Sequence, residues 1–253
     1  MQNLGASLGW GLVVGASLVA GAVAAAFLRL PARFAAALTA FGGGVLFAAI
    51  AFELVPEADR EAGVALTAIG LVAGTLVYVA ADAWLSRDEG MDQMRRSGHA
   101  AAAGRPMTMH SAEASRGESI AAGLFVDGVP ESLALGLTIA EGEIGVALLA
   151  GVLVGNVVEA YGAAQPIVAG GHTRRFAIGL LTLIGAALAL ATLLGGTVLA
   201  DASGEVIGTA QAVAAGAVLA VITIAIVPHA FEEVSRLVAC ATVFGFLAGY
   251  LLS

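Results

Sequence analysis

Apolar stretches of about twenty residues, separated by polar breaks, recur along the whole of this 253-residue chain. Each is long enough to cross the roughly 30 Å hydrocarbon core of a bilayer as a helix. Helices are expected there because lipid offers no partner to an unpaired backbone group. The stretches fall at about 4–28, 33–55, 63–85, 118–140, 144–169, 175–200, 206–229 and 234–252. The pattern predicts an all-α integral membrane protein, a single transmembrane domain over residues 1–253 with eight spans. No signal peptide is expected, since Met1–Gly9 carries no basic residue and the first apolar run is too long for one. One connection is long. Residues 86–117 are polar and predict a flexible cytoplasmic loop between spans three and four.

Arginine placement supports this map. Arg29 and Arg33 fall in the first loop, Arg87, Arg95, Arg96, Arg105 and Arg116 in the third, Arg174 and Arg175 in the fifth and Arg236 in the seventh. Only Arg60 falls in an even-numbered loop, and a missed helix would scramble that separation. Positive residues concentrate on the cytoplasmic side, which predicts a multi-pass protein of the cell (inner, cytoplasmic) membrane with both termini outside. The opposite face carries Glu57, Asp59, Glu61, Glu141, Glu143, Asp201 and Glu205, and acidity of this kind concentrates cations. Trp10, Trp84 and Tyr250 sit near span ends, as interfacial aromatics do.

Composition agrees. The chain is 59% hydrophobic and only 12% charged, with a mean hydropathy of +0.95. Its surroundings are therefore a lipid bilayer, and nothing in the charge pattern calls for a nucleic-acid partner. Cys240 is the single cysteine, which excludes an intrachain disulfide and a Cys-rich metal site.

Against this background Asp127 and Glu131 stand in the middle of span four, and Asn156 and Glu159 in the middle of span five. An ionisable side chain at membrane depth costs roughly 2.5–3.5 kcal/mol on insertion scales, so such residues mark function by default. Asp127 and Glu131 are four apart and share a helix face, as do Asn156 and Glu159 at a spacing of three. Pro130 removes a backbone donor and frees the carbonyl of Val126. Gly128, Gly155 and Gly162 permit close approach of the two helices. Three anions cannot share such a place unless protonated or paired with a cation. No Arg or His lies at that depth, so protons or a metal ion must supply the missing charge. An all-oxygen set suits hard divalent cations. Asn156 serves equally well as interhelical glue.

Weaker candidates lie at span ends. Glu53 and Glu57 close span two on the outer side. Asp82 near the inner end of span three, with His229 and Glu232 at the inner end of span seven, has the residue types of an inner exit for metal. His99 and His110 in the long loop match no compact site.

Internal symmetry points the same way. Residues 42–58 align without a gap onto 214–230, both closing in Val-Pro-x-Ala, in spans of opposite direction. Residues 127–132 align likewise onto 155–160. Inverted repeats characterise secondary transporters, whose sites lie near the midplane where the repeats meet.

With eight spans, a histidine-bearing loop after the third, FELVPEA at 52–58, Pro130-Glu131 in span four and Asn156-x-x-Glu159 in span five, the chain resembles the ZIP family of divalent-metal transporters, in its bacterial branch. That family usually reads His-Asn-x-Pro-Glu-Gly in span four and Gln-Asn-x-Pro-Glu-Gly in span five. Here Asp127 stands in the histidine position, Gly128 in the asparagine position and Ser132 in that of the glycine. Gly155 replaces the glutamine and Val158 the proline. In span seven Ala225 stands where the family often has a glutamate. The resemblance implies a mid-membrane metal site built from Asp127, Glu131, Asn156 and Glu159, with the loss of the imidazole shifting preference toward harder ions.

The expected function is transport of a divalent cation (zinc, manganese, iron or cadmium) into the cytoplasm. The metal is substrate, no cofactor is expected, and small-residue faces permit a homodimer. No nucleophile–base pair or phosphate loop marks an enzyme. The alternatives are a proton-linked transporter of another substrate and a non-transporting metal-binding relative.

Overall fold

A computed structural model describes residues 2–28, 30–85, 117–142, 144–169, 171–199, 202–226 and 236–253. Every regular element among them is helical. In chain order these are α1 (Gln2–Phe27), α2 (Ala32–Ala49), α3 (Val55–Leu85), α4 (Gly117–Ala140), α5 (Val146–Ala169), α6 (Arg174–Val198), α7 (Gly204–Val221) and α8 (Arg236–Leu252). Six helical stretches are long and apolar enough to cross a membrane, and α8, at 17 residues, is a shorter seventh. Leucines and valines exposed on their outer faces, such as Leu183, Leu190, Val72 and Leu76, suit lipid contact. The molecule is a multi-pass helical membrane protein.

The stretch from Arg33 to Trp84 is the exception to the one-helix-one-crossing pattern. At 52 residues it would reach about 78 Å if straight, far more than a bilayer core. It does not run straight. Gly63 has φ 79° and ψ 160°, a backbone state open to glycine and almost nothing else, and the helix breaks there. The polar segment expected as a loop at 56–62 is therefore helical, and the break narrows to one residue.

Between α2 and α3 the backbone passes through a π-helical turn, Ile50–Leu54, in which Val55 N–H donates to the Ile50 carbonyl five residues back. Pro56 explains the wider turn, because without an N–H it cannot donate to Phe52. A second π-helical turn, Ile222–Ile226, follows α7. The two occupy the same offset within the aligned segments 42–58 and 214–230. Pro228 stands at the offset of Pro56 but lies outside the described residues.

Helix directions follow from close approaches at glycine. Gly11 and Gly15 of α1 pack on Ala189 and Gly185 of α6, so these two run antiparallel. Gly128 meets Leu188 while Gly136 meets Thr192 and Gly195, so α4 and α6 run parallel. Gly70 meets Ala212 and Gly74 meets Val213, so the part of α3 beyond Gly63 runs parallel to α7. Gly44 lies on Thr242 and Gly249 on Val45, which makes α2 and α8 parallel. Gly42 on Val154 and Gly151 on Leu46 make α2 and α5 antiparallel. Helices α1, α4, α5 and α6 share extensive contacts, α3 pairs with α7 and α2 with α8, while α2 crosses to α5 and α7 to α4. Small residues let backbones approach closely where lipid provides no hydrophobic drive between helices.

Candidate metal centre

Asp127 and Glu131 project from α4 on either side of Pro130, which sits inside that helix. Asn156 and Glu159 project from α5. Asp127, Glu131 and Asn156 are buried to within a few per cent, and Glu159 is half-buried. The three carboxyl groups lie within electrostatic range of one another. No arginine or histidine among the described residues forms an ion pair with Glu131 or Glu159; the ion pairs there are those of Arg60 with Glu57 and Glu61. Of the four residues singled out from the sequence, Asp127, Glu131 and Glu159 lie near one another across α4 and α5, and Asn156 stands one turn before Glu159 on α5. They do not close into a cage: among the described residues, no three His, Cys, Asp or Glu side chains stand close enough to hold a metal ion between them.

A fifth residue belongs to the centre. Tyr78 of α3 is buried, and its hydroxyl donates to Asp127 Oδ1 at 2.5 Å. A third helix thus reaches the carboxylates. Tyrosines gather at span ends, and Tyr78 lies within a span instead, where a buried hydroxyl needs a partner. That was the available signal for it. Asp82 sits one turn further along α3 on the face that carries Tyr78, and is half-buried.

Two positions that depart from the ZIP pattern have a packing explanation. A side chain at Gly128 would put its Cβ 2.6 Å from Leu188 Cδ1, so the Leu188 side chain of α6 would have to move to admit an asparagine. Ser132 is fully buried and lies between Gly128 and Gly136 on the same face, against α6. Its Oγ, like Asn156 Nδ2, makes no hydrogen bond among the described residues. Gly128, Ser132 and Gly136 together form a small-residue seam, and only Asp127 and Glu131 of this part of α4 remain for chemistry.

On the side where α4 ends and α5 begins there is a cavity of about 490 Å³, lined in part by Glu53, Glu57, Glu141 and Gln211. Glu53, in the π-helical turn, caps α5. Ala147 N–H donates to its Oε1 at 3.0 Å and Leu148 N–H to its Oε2 at 3.1 Å. A carboxylate on the first free N–H groups of a helix is a favourable arrangement. Gln211 Nε2 donates to Glu141 Oε2 at 3.0 Å, while Glu141 Oε1 and Gln211 Oε1 are buried without a hydrogen bond among the described residues. Burial, and then the negative charge of Glu57, push the Glu141 carboxyl up to about 7; the Gln211 hydrogen bond works against this, Glu61 adds to it and Arg60 opposes it.

His229 and Glu232, expected at an inner exit, and His99 and His110 of the long loop lie outside the described residues.

The chain matches no family model and no curated protein.

Proposed function

We propose that this protein moves a divalent metal cation (zinc or a harder ion such as manganese or iron) across the membrane into the cytoplasm, in the manner of the ZIP family it resembles in sequence. The observation that carries the reading is the meeting of Glu131 and Glu159 from two different helices, with no basic side chain paired to either among the described residues. A divalent cation relieves that excess of negative charge.

Eight crossings with inverted symmetry are part of the same proposal. Support comes from the Gly63 break, from helix directions consistent with an alternating path, and from the two π-helical turns at one offset of the aligned segments. Cations would gather at Glu57 and Glu141, bind among Asp127, Glu131, Asn156 and Glu159, and leave past Asp82, His229 and Glu232. The motion would be a rocking of α1, α4, α5 and α6 against the remaining helices.

The test is uptake of a metal panel (zinc, cadmium, iron, manganese, cobalt, magnesium) into proteoliposomes. Saturable uptake lost in both Glu131→Gln and Glu159→Gln supports the proposal. Flux indifferent to both changes, or none for any metal, removes it.

A second reading has its own observation. The carboxylates do not form a three-ligand cage, and Asp127 is hydrogen-bonded to Tyr78, an arrangement suited to a proton relay. On this reading the chain is a proton-linked transporter of another substrate. Transport that persists in chelator and follows a pH gradient would favour it. Metal binding without flux would mark a non-transporting relative.

A further inference from the structure

Where α1 and α5 end and α6 begins, the helices leave a cavity of about 510 Å³. Its walls combine two chemistries. Ala22 and Ala26 of α1, Val168 of α5 and Ala177 of α6 form an apolar side, and their small side chains are what leaves the space open. Arg174 and Gln165 supply the polar side, and among the described residues no carboxylate lines the cavity. Tyr161 is 3% exposed and closes part of the wall. Its hydroxyl accepts from Leu30 N–H at 2.8 Å and donates to the Leu28 carbonyl at 3.3 Å, so it fixes the connection from α1 to α2.

Phe27 is 80% exposed and Leu28 54%, an apolar rim beside the cavity. Arg174 is exposed, as are Arg33 and Arg175, and none of the three forms an ion pair among the described residues. An apolar rim with unpaired arginines is the profile of a lipid–water interface.

We propose that this cavity binds an anionic phospholipid of the adjoining leaflet, its phosphate at Arg174 and an acyl chain along the alanine wall of α1 and α6. A guanidinium pairs well with phosphate, in up to two parallel hydrogen bonds. Discrimination against a zwitterionic lipid follows from the lining. With no carboxylate among the described lining residues, the ammonium of a choline or ethanolamine headgroup meets Arg174, which repels it. The site rests on the orientation proposed above, in which this arginine-rich end of the helices is cytoplasmic, and is independent of the substrate the central site carries.

The experiment is native mass spectrometry on delipidated, detergent-purified full-length protein, titrated with phosphatidylglycerol and phosphatidylcholine of identical chains. The expected result is tighter binding of phosphatidylglycerol by about fivefold or more. Arg174→Gln should bring the two lipids to parity, and Ala26→Leu, which narrows the cavity from a half-exposed position, should weaken both. Thermal unfolding of each variant in detergent separates loss of the site from loss of the fold. Equal binding of the two lipids by the natural chain, or a preference that survives Arg174→Gln in a folded variant, overturns the proposal. So does full displacement of phosphatidylglycerol by millimolar inorganic phosphate, which would mark an anion site without a lipid.

Discussion

Tyr78 and Asp127 are joined across 2.5 Å between α3 and α4, at the depth where the other carboxylates gather. The bond ties a helix of one contact group to a helix of the other. Tyr78→Phe removes the donor and leaves a buried carboxylate with fewer bonds, which costs on the order of 1–3 kcal/mol. The variant should unfold in detergent at lower temperature than the natural chain. Asp127→Ala, which removes the acceptor, should then cost less in the Tyr78→Phe background than alone, as residues sharing one bond require. Additive losses would show that the two do not interact.

Gly128 gives a second prediction. Introducing an asparagine, as the ZIP pattern has at this position, by Gly128→Asn should destabilise the protein by about 1–3 kcal/mol, because buried Leu188 must shift to admit its Cβ. Leu188→Ala in the same chain should return part of that loss, read as a rise in unfolding temperature over Gly128→Asn alone. If Gly128→Asn is neutral, the seam between α4 and α6 is looser than its contacts imply.

Glu53 gives a third. It accepts from the Ala147 and Leu148 N–H groups at the start of α5, and a helix cap is worth about 0.5–2 kcal/mol. Glu53→Ala should lose that amount. Glu53→Gln should lose less, since one oxygen remains to accept and only the interaction of charge with the helix end is removed. Amide hydrogen exchange at Ala147 and Leu148 reads the effect locally, and both should exchange faster in Glu53→Ala.

The helices could be read from the sequence because lipid leaves a chain few choices. A backbone that must satisfy its own polar groups over a fixed thickness yields apolar runs of recognisable length. The convergence of Glu131 and Glu159 was legible for the same reason, since a carboxylate in such a run stands out. Tyr78 was not, because a tyrosine in an apolar run resembles packing until its partner is seen. Glu53 read as an interface marker, and only the fold brings the start of α5 to it. Ser132 read as a departure from a binding motif, whereas it is a small residue in a helix seam. The missed features all depend on which helix lies beside which, and that is set by small residues whose pattern in an Ala/Gly/Val-rich chain carries little information.

Glu141 makes stability depend on pH. Its carboxyl is pushed from an ordinary 4.5 up to about 7, by burial first and then by the charge of Glu57, with Glu61 adding to the shift and Gln211 and Arg60 opposing it. The folded chain therefore holds this proton more tightly than the unfolded chain does. Below about pH 4.5 both states are protonated and the group has no effect. Between about 4.5 and 7 the unfolded state ionises first, so folding loses stability as pH rises, and above about 7 the loss is complete. Unfolding temperature in detergent should thus fall between pH 5 and pH 8 through this group. Glu141→Gln keeps the shape and removes the titration, so its curve should be flatter over that interval, with the largest gain over the natural chain at pH 8. Glu57→Gln should act in the same direction by a smaller amount, since it removes the second-largest cause of the shift and leaves the burial. Parallel curves for the natural chain and Glu141→Gln would show that Glu141 ionises at its ordinary pH and that the cavity at this end is better solvated than its packing implies.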